Sequence, residues 1–134
     1  EDDDFKKSKL HQLKNVYFLG HKMPEMLPAY VHNFDVCLNP QVVNQMTIGN
    51  YPRKIDEYLA AGKPVVATAT KAMEEFKDST LLCNSVAEYI DAIELSLSEN
   101  DDKVKAMQRR EVARSHTWQH SVMKLYSAVN NTPK

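Results

Sequence analysis

Glycine is scarce in this chain, three residues in 134, and none of the three sits in a Gly-x-Gly cluster. That excludes the glycine-rich loops that cradle phosphates in P-loop and dinucleotide-binding proteins. Charge of one sign is missing too. Seventeen basic residues face eighteen acidic ones, a net charge of −1, so no broad positive field exists to recruit nucleic acid or an acidic membrane. Any basic site must be local. No apolar run approaches the roughly 20 residues needed to span a bilayer, and no signal-peptide pattern opens the chain. The two cysteines, Cys37 and Cys83, each lie inside an apolar run. Two buried free thiols in a reducing compartment are expected, with a structural disulfide or metal pair as the alternative. No nucleophile elbow or paired-carboxylate motif appears.

What is present is the make-up of one soluble globular domain, 43% hydrophobic and 26% charged. A polar lead, 1–14, has a faint helical face in Phe5, Leu10 and Leu13, and the start at Glu1 rather than Met suggests a piece of something longer. Short apolar runs at 16–19, 35–40, 64–68 and 80–83 read as buried strands. Helical spacing covers 24–33, 52–61 and 71–76. Ser85 with Glu88 forms a capping box for a helix to about residue 97; Asp101 or Asp102 opens another to about 114. Thr117 opens the last, whose apolar face is Trp118, Val122, Leu125 and Tyr126. Strands that are apolar throughout and alternate with helices imply a Rossmann-like α/β fold, a parallel sheet with helices on both faces, here over residues 15–130. Ligands in such folds bind beyond the carboxyl ends of the strands.

The helix expected at 52–61 starts unusually. Pro52 suits the first helical position, but Tyr51 before it is a poor N-cap, which leaves N–H groups unpaired. Arg53 and Lys54 then fall in the first turn, where the helix dipole disfavours a cation unless an anion lies nearby. A bound phosphate resolves both problems. Glu57, three positions after Lys54, shares its face. The pair reads either as a surface ion pair or as a division of labour, Lys54 with Arg53 on a diphosphate and Glu57 accepting hydrogen bonds from two adjacent ribose hydroxyls. Gly62 suits the left-handed position that ends the helix.

The stretch Glu57-Tyr-Leu-Ala-Ala-Gly-Lys-Pro-Val-Val resembles the signature of the C-terminal, donor-binding domain of GT-B-fold glycosyltransferases of the group 1 (GT4) type. Asn15-Val-Tyr-Phe-Leu-Gly20, Leu27-Pro-Ala-Tyr30, Asp35-Val-Cys-Leu-Asn-Pro40 and Trp118 fall in the family's order and spacing. Many members carry a second glutamate eight residues before the ribose-binding one; here that position is Gly49. The loop around it, with Asn44, Thr47, Asn50-Tyr-Pro and Lys54, instead resembles a branch working in bacterial surface-polysaccharide assembly. The resemblance implies a nucleotide-diphosphate sugar, such as a UDP- or GDP-sugar, as donor substrate and no separate cofactor or metal. It implies Gly20, His21 and Lys22 beside the nucleobase, and Thr47 and Asn50 near the sugar and phosphates. It also implies two further strands upstream, an N-terminal GT-B domain carrying the acceptor site, and a cytoplasmic setting with peripheral association of the full protein at the inner membrane face. Plainer readings stand beside these: Gly20 ending a strand, Thr47 and Asn50 bonding within turns, Lys22 solvated.

A non-catalytic α/β nucleotide-binding or assembly module is the alternative function, and a flavodoxin-like or receiver-type domain a weaker third. His116 and His120 have the spacing of a helical metal pair, but Thr117 between them reads as a cap. Lys103, Lys105, Arg109, Arg110 and Arg114 read as a solvated helix face.

Overall fold

The computed structural model describes residues 7–45, 47–99 and 101–131. Phe5 of the lead therefore lies outside the described residues. The order of elements is helix α1 (Leu27–His32), strand β1 (Cys37–Asn39), helix α2 (Arg53–Ala60), strand β2 (Val65–Thr68), a 3-10 turn (Lys71–Phe76), strand β3 (Leu81–Cys83), and helices α3 (Val86–Ser98), α4 (Lys103–Ser115) and α5 (Trp118–Asn130). The three strands form a parallel sheet in the order β1-β2-β3. Cys37 pairs with Val65 and Val66 with Leu81, so β2 is central and hydrogen-bonded on both sides.

Alternation along β2 sends its side chains into two separate cores. Val65 and Ala67 join Cys37, Ile55, Leu59, Met73 and Phe76 under α2, with Val112 and Ala113 of α4 packed on that cluster. Val66 points the other way and meets Cys83 and Ala92, with Tyr89 and Ile93 of α3 alongside. Helices therefore cover both faces, as the strand pattern requires.

Helices α3, α4 and α5 begin where the sequence places a cap. The Ser85 hydroxyl accepts from the Glu88 N–H at 3.2 Å, and the Glu88 carboxylate reaches back to the Asn84 N–H at 2.8 Å. Asp102 accepts from Val104 and Lys105 at 2.9 and 3.0 Å, and Thr117 accepts from His120 at 3.4 Å. Gly62 ends α2 with φ +79°, the left-handed geometry expected of it.

Two expectations fail. Residues 16–19 form no strand: Tyr17 is 79% exposed, and Phe18 stacks on His11 at 4.3 Å. An apolar run becomes a strand only where another strand lies beside it, and the sheet of the described residues, β1-β2-β3, does not include this segment. The basic set on α4 is not simply a solvated face. Arg109 is buried and donates to the Gly62 carbonyl at 3.3 Å, while Arg110 donates to the Ala61 carbonyl at 3.3 Å. Carbonyls left open at the C-terminus of α2 attract both guanidinium groups. Lys105 pairs with Glu99 at 2.5 Å.

Candidate functional site

A helix that follows a parallel strand runs back along it, so α2 begins at the carboxyl end of the sheet. The connection from β1 crosses that end and is held by its own side chains. The Gln41 N–H donates to the Thr68 hydroxyl at 2.9 Å, and the Gln41 side-chain amide to the Thr47 carbonyl at 3.0 Å. The Thr47 hydroxyl accepts from the Asn44 N–H at 2.9 Å and donates to the Val42 carbonyl at 2.5 Å. Thr47 is thus engaged in the turn. Asn50 gives its N–H to the Thr47 carbonyl at 3.1 Å and leaves its side chain exposed.

Pro52 occupies the cap position of α2 rather than its first turn, with ψ 80° and no side-chain cap. The reason is a tight turn just ahead of it, in which the Arg53 N–H donates to the Tyr51 carbonyl at 3.1 Å; the Ile55 N–H then donates to the Pro52 carbonyl at 2.8 Å. Two of the N–H groups expected to be open are therefore paired. That of Lys54 has no loop or cap partner among the described residues.

Arg53, Lys54 and Glu57 are all exposed, and none makes an ion pair or side-chain hydrogen bond with another described residue. The surface ion pair between Lys54 and Glu57 is not formed. Glu57 lines three grooves, of which two bear on the site. One, of about 500 Å³, is apolar and runs between α2 and the Pro24, Leu27 and Val31 side chains. The other, of about 540 Å³, holds Arg53 beside Glu57 and extends to His116, Trp118 and Lys124. Lys54 borders neither of them. Gly49 has nothing within 4 Å of the point where a Cβ would stand, so a longer side chain fits there.

Gly20, His21 and Lys22 are not brought to Glu57 by either groove. Gly20 adopts φ +67° within the exposed segment. The Lys22 ammonium bonds back to the Leu19 carbonyl and lies 5.6 Å from the centre of the Tyr30 ring. His21 is exposed.

One cluster escaped the sequence reading. The Tyr51 hydroxyl donates to one Asp56 oxygen at 2.8 Å, and His116 Nδ1 lies 2.9 Å from the other. His116 Nε2 is 3.7 Å from Glu75, and the Tyr51 and His116 rings both pack on the buried Phe76, at 5.6 and 5.1 Å. Burial, then the hydrogen bond and charge of Asp56, push the Tyr51 phenol well above its ordinary range, so it stays a donor. Asp56 and His116 are 60 residues apart, and no periodicity links them. Among the described residues no group of three or more His, Cys, Asp or Glu is arranged to hold a metal ion. Among the described residues, two buried polar atoms at the sheet's carboxyl end, Asn39 Nδ2 and Thr70 Oγ1, have no hydrogen-bond partner.

Comparison with known proteins adds an independent finding. A family model described as "Glycosyl transferases group 1" matches residues 1–99. Over 113 residues the chain is 30% identical to TuaH of Bacillus subtilis (strain 168), whose name provisionally makes it a teichuronic acid biosynthesis glycosyltransferase. The match covers 81% of this chain, and the chain spans only 28% of that relative's length. No solved structure matches it.

Proposed function

The chain belongs to the group 1 glycosyl transferase family, and on that premise we propose that residues 15–130 form the donor side of a glycosyltransferase acting in bacterial surface-polysaccharide synthesis, with residues 1–14 as a lead. The substrate held is a nucleotide-diphosphate sugar of the UDP or GDP type. Arg53 and Lys54 neutralise the diphosphate, and the two oxygens of Glu57 accept from adjacent ribose hydroxyls. Fixed positive charge beside the departing nucleoside diphosphate stabilises the transition state without reorganising during the reaction. The acceptor is bound by an N-terminal domain, and the full protein associates peripherally with the inner face of the membrane.

The observation that carries this reading is the state of three side chains. Among the described residues Arg53, Lys54 and Glu57 have no side-chain partner, and they stand on the first two turns of a helix that starts at the carboxyl end of a parallel sheet. Titration of UDP and GDP into the wild type and Glu57→Ala tests it. Loss of about 1.5–3 kcal/mol, the range for hydrogen bonds to a charged group, is expected in the variant. Unchanged affinity removes Glu57 from the site.

Gly49 favours a second reading, a module that binds nucleotide without transferring sugar. That reading predicts donor binding by the full-length protein with no sugar released or transferred.

A further inference from the structure

The cluster around His116 is not used by the proposed donor site, yet it holds the segment that carries that site. Asp56 lies between Arg53 and Glu57 in sequence on α2, and Tyr51 stands just ahead of the helix. The His116 imidazole, only 10% exposed, sits at the junction of α4 and α5. Its Nδ1 is 2.9 Å from Asp56 Oδ1, so the proton on Nδ1 is the one that Asp56 accepts. The Tyr51 hydroxyl takes the other carboxylate oxygen, and its 3.4 Å approach to Nδ1 is proximity only. Both oxygens of Asp56 are thereby fixed. Glu75 approaches the far side of the ring, and Arg53, Glu57 and Lys124 are the other charged groups facing the same groove.

The core side of α2 is secured separately, by Ile55 and Leu59, both fully buried. Those contacts set how deep the helix sits. The buried face sets the helix's rotation, but apolar contact is not directional, whereas the Asp56 hydrogen bonds are, so they pin where its first turn lies. We infer that His116 is a positioning residue for the donor site: through Asp56 and Tyr51 it fixes the start of α2 and so the aim of Arg53 and Glu57. This rests on the donor reading given above. A misplacement of the order of 1 Å in such a site is costly.

Two readouts test it, UDP and GDP affinity by calorimetry and hydrogen exchange of the first-turn amides of α2 without ligand. His116→Gln moves the amide donor away from the Nδ1 position; His116→Asn keeps a donor close to it. The glutamine variant is expected to bind nucleoside diphosphate about tenfold more weakly and to exchange faster over residues 53–57, and the asparagine variant to recover most of both. Tyr51→Phe keeps the ring on Phe76 and removes one hydroxyl, and is expected to weaken binding about threefold. Wild-type affinity in both His116→Gln and Tyr51→Phe overturns the inference, and so does an asparagine variant no better than the glutamine one. If the wild type binds neither nucleotide, the donor reading falls and this inference with it. If the wild type binds and only Glu57→Ala loses affinity, the reading stands and His116 has no positioning role.

Discussion

Helices α2 and α5 are written in the same code and meet opposite fates. Both space apolar residues for one face. On α2 that face is closed between sheet and α4, and Ile55 and Leu59 have no exposed surface. On α5 the corresponding residues stand open: Trp118 is 78% exposed, Leu125 66% and Tyr126 68%. A periodic stripe states what a helix needs against it, not whether the chain supplies it. Tyr17, Phe18 and Leu19 repeat the lesson in extended form.

The contrast can be broken most directly by cutting the same side chain from each helix. Leu59→Ala is expected to cost about 2–5 kcal/mol in urea unfolding, while Leu125→Ala stays within about 0.5 kcal/mol. Similar costs at the two positions would mean that α5 is covered after all. Next in size is Gly62→Ala, at about 1–2 kcal/mol for a left-handed residue with a Cβ. The new methyl would also meet the Arg110 guanidinium at 3.0 Å, and a shift in the α2–α4 contact should follow. Gly49→Glu sharpens the comparison from the ligand side. Its site is open, so stability should change by less than about 0.5 kcal/mol. If a sugar contact is regained, affinity for a nucleotide sugar should rise relative to the free nucleoside diphosphate.

The smallest effect lies at the start of α3. The Asn84 N–H and the Ser85 hydroxyl hold the Glu88 carboxyl below its ordinary range against the opposing effect of desolvation. A carboxyl depressed in the folded state adds stability above its unfolded pKa, and that contribution disappears as the pH falls through the folded value. Glu88→Gln should flatten the acid limb of a melting-temperature profile slightly; an unchanged limb would show that the capping box carries no charge-dependent part.

Local signals were legible wherever one short stretch contains the whole interaction. Ser85, Asp102 and Thr117 cap because each reaches an N–H two or three residues on, and Gly62 ends α2 because only its own φ matters. That Arg53, Lys54 and Glu57 fall on the first two turns of α2 was legible for the same reason. What escaped depends on distant parts of the chain. Arg109 looked solvated until the carbonyls at the end of α2 came to it, and His116 acquires Asp56, Tyr51 and Glu75 only through folding. The segment 16–19 misled because apolar content was counted without asking which strand would lie beside it. Pro52 misled by a single residue, since the turn at Tyr51 uses the N–H that a regular first turn would have left open.

The division of the interior into two cores gives the protein a pair of chemical reporters. Cys37 belongs to the layer under α2 and Cys83 to the layer under α3. Both are free and buried, and burial pushes the Cys37 thiol up to about 11 despite the nearby Lys63. Burial raises the Cys83 thiol as well. Neither sulfur presents a reactive thiolate while its layer is shut. The rate at which a thiol reagent labels each one therefore times the opening of one layer, and the order of labelling tells which side of the sheet lets go first.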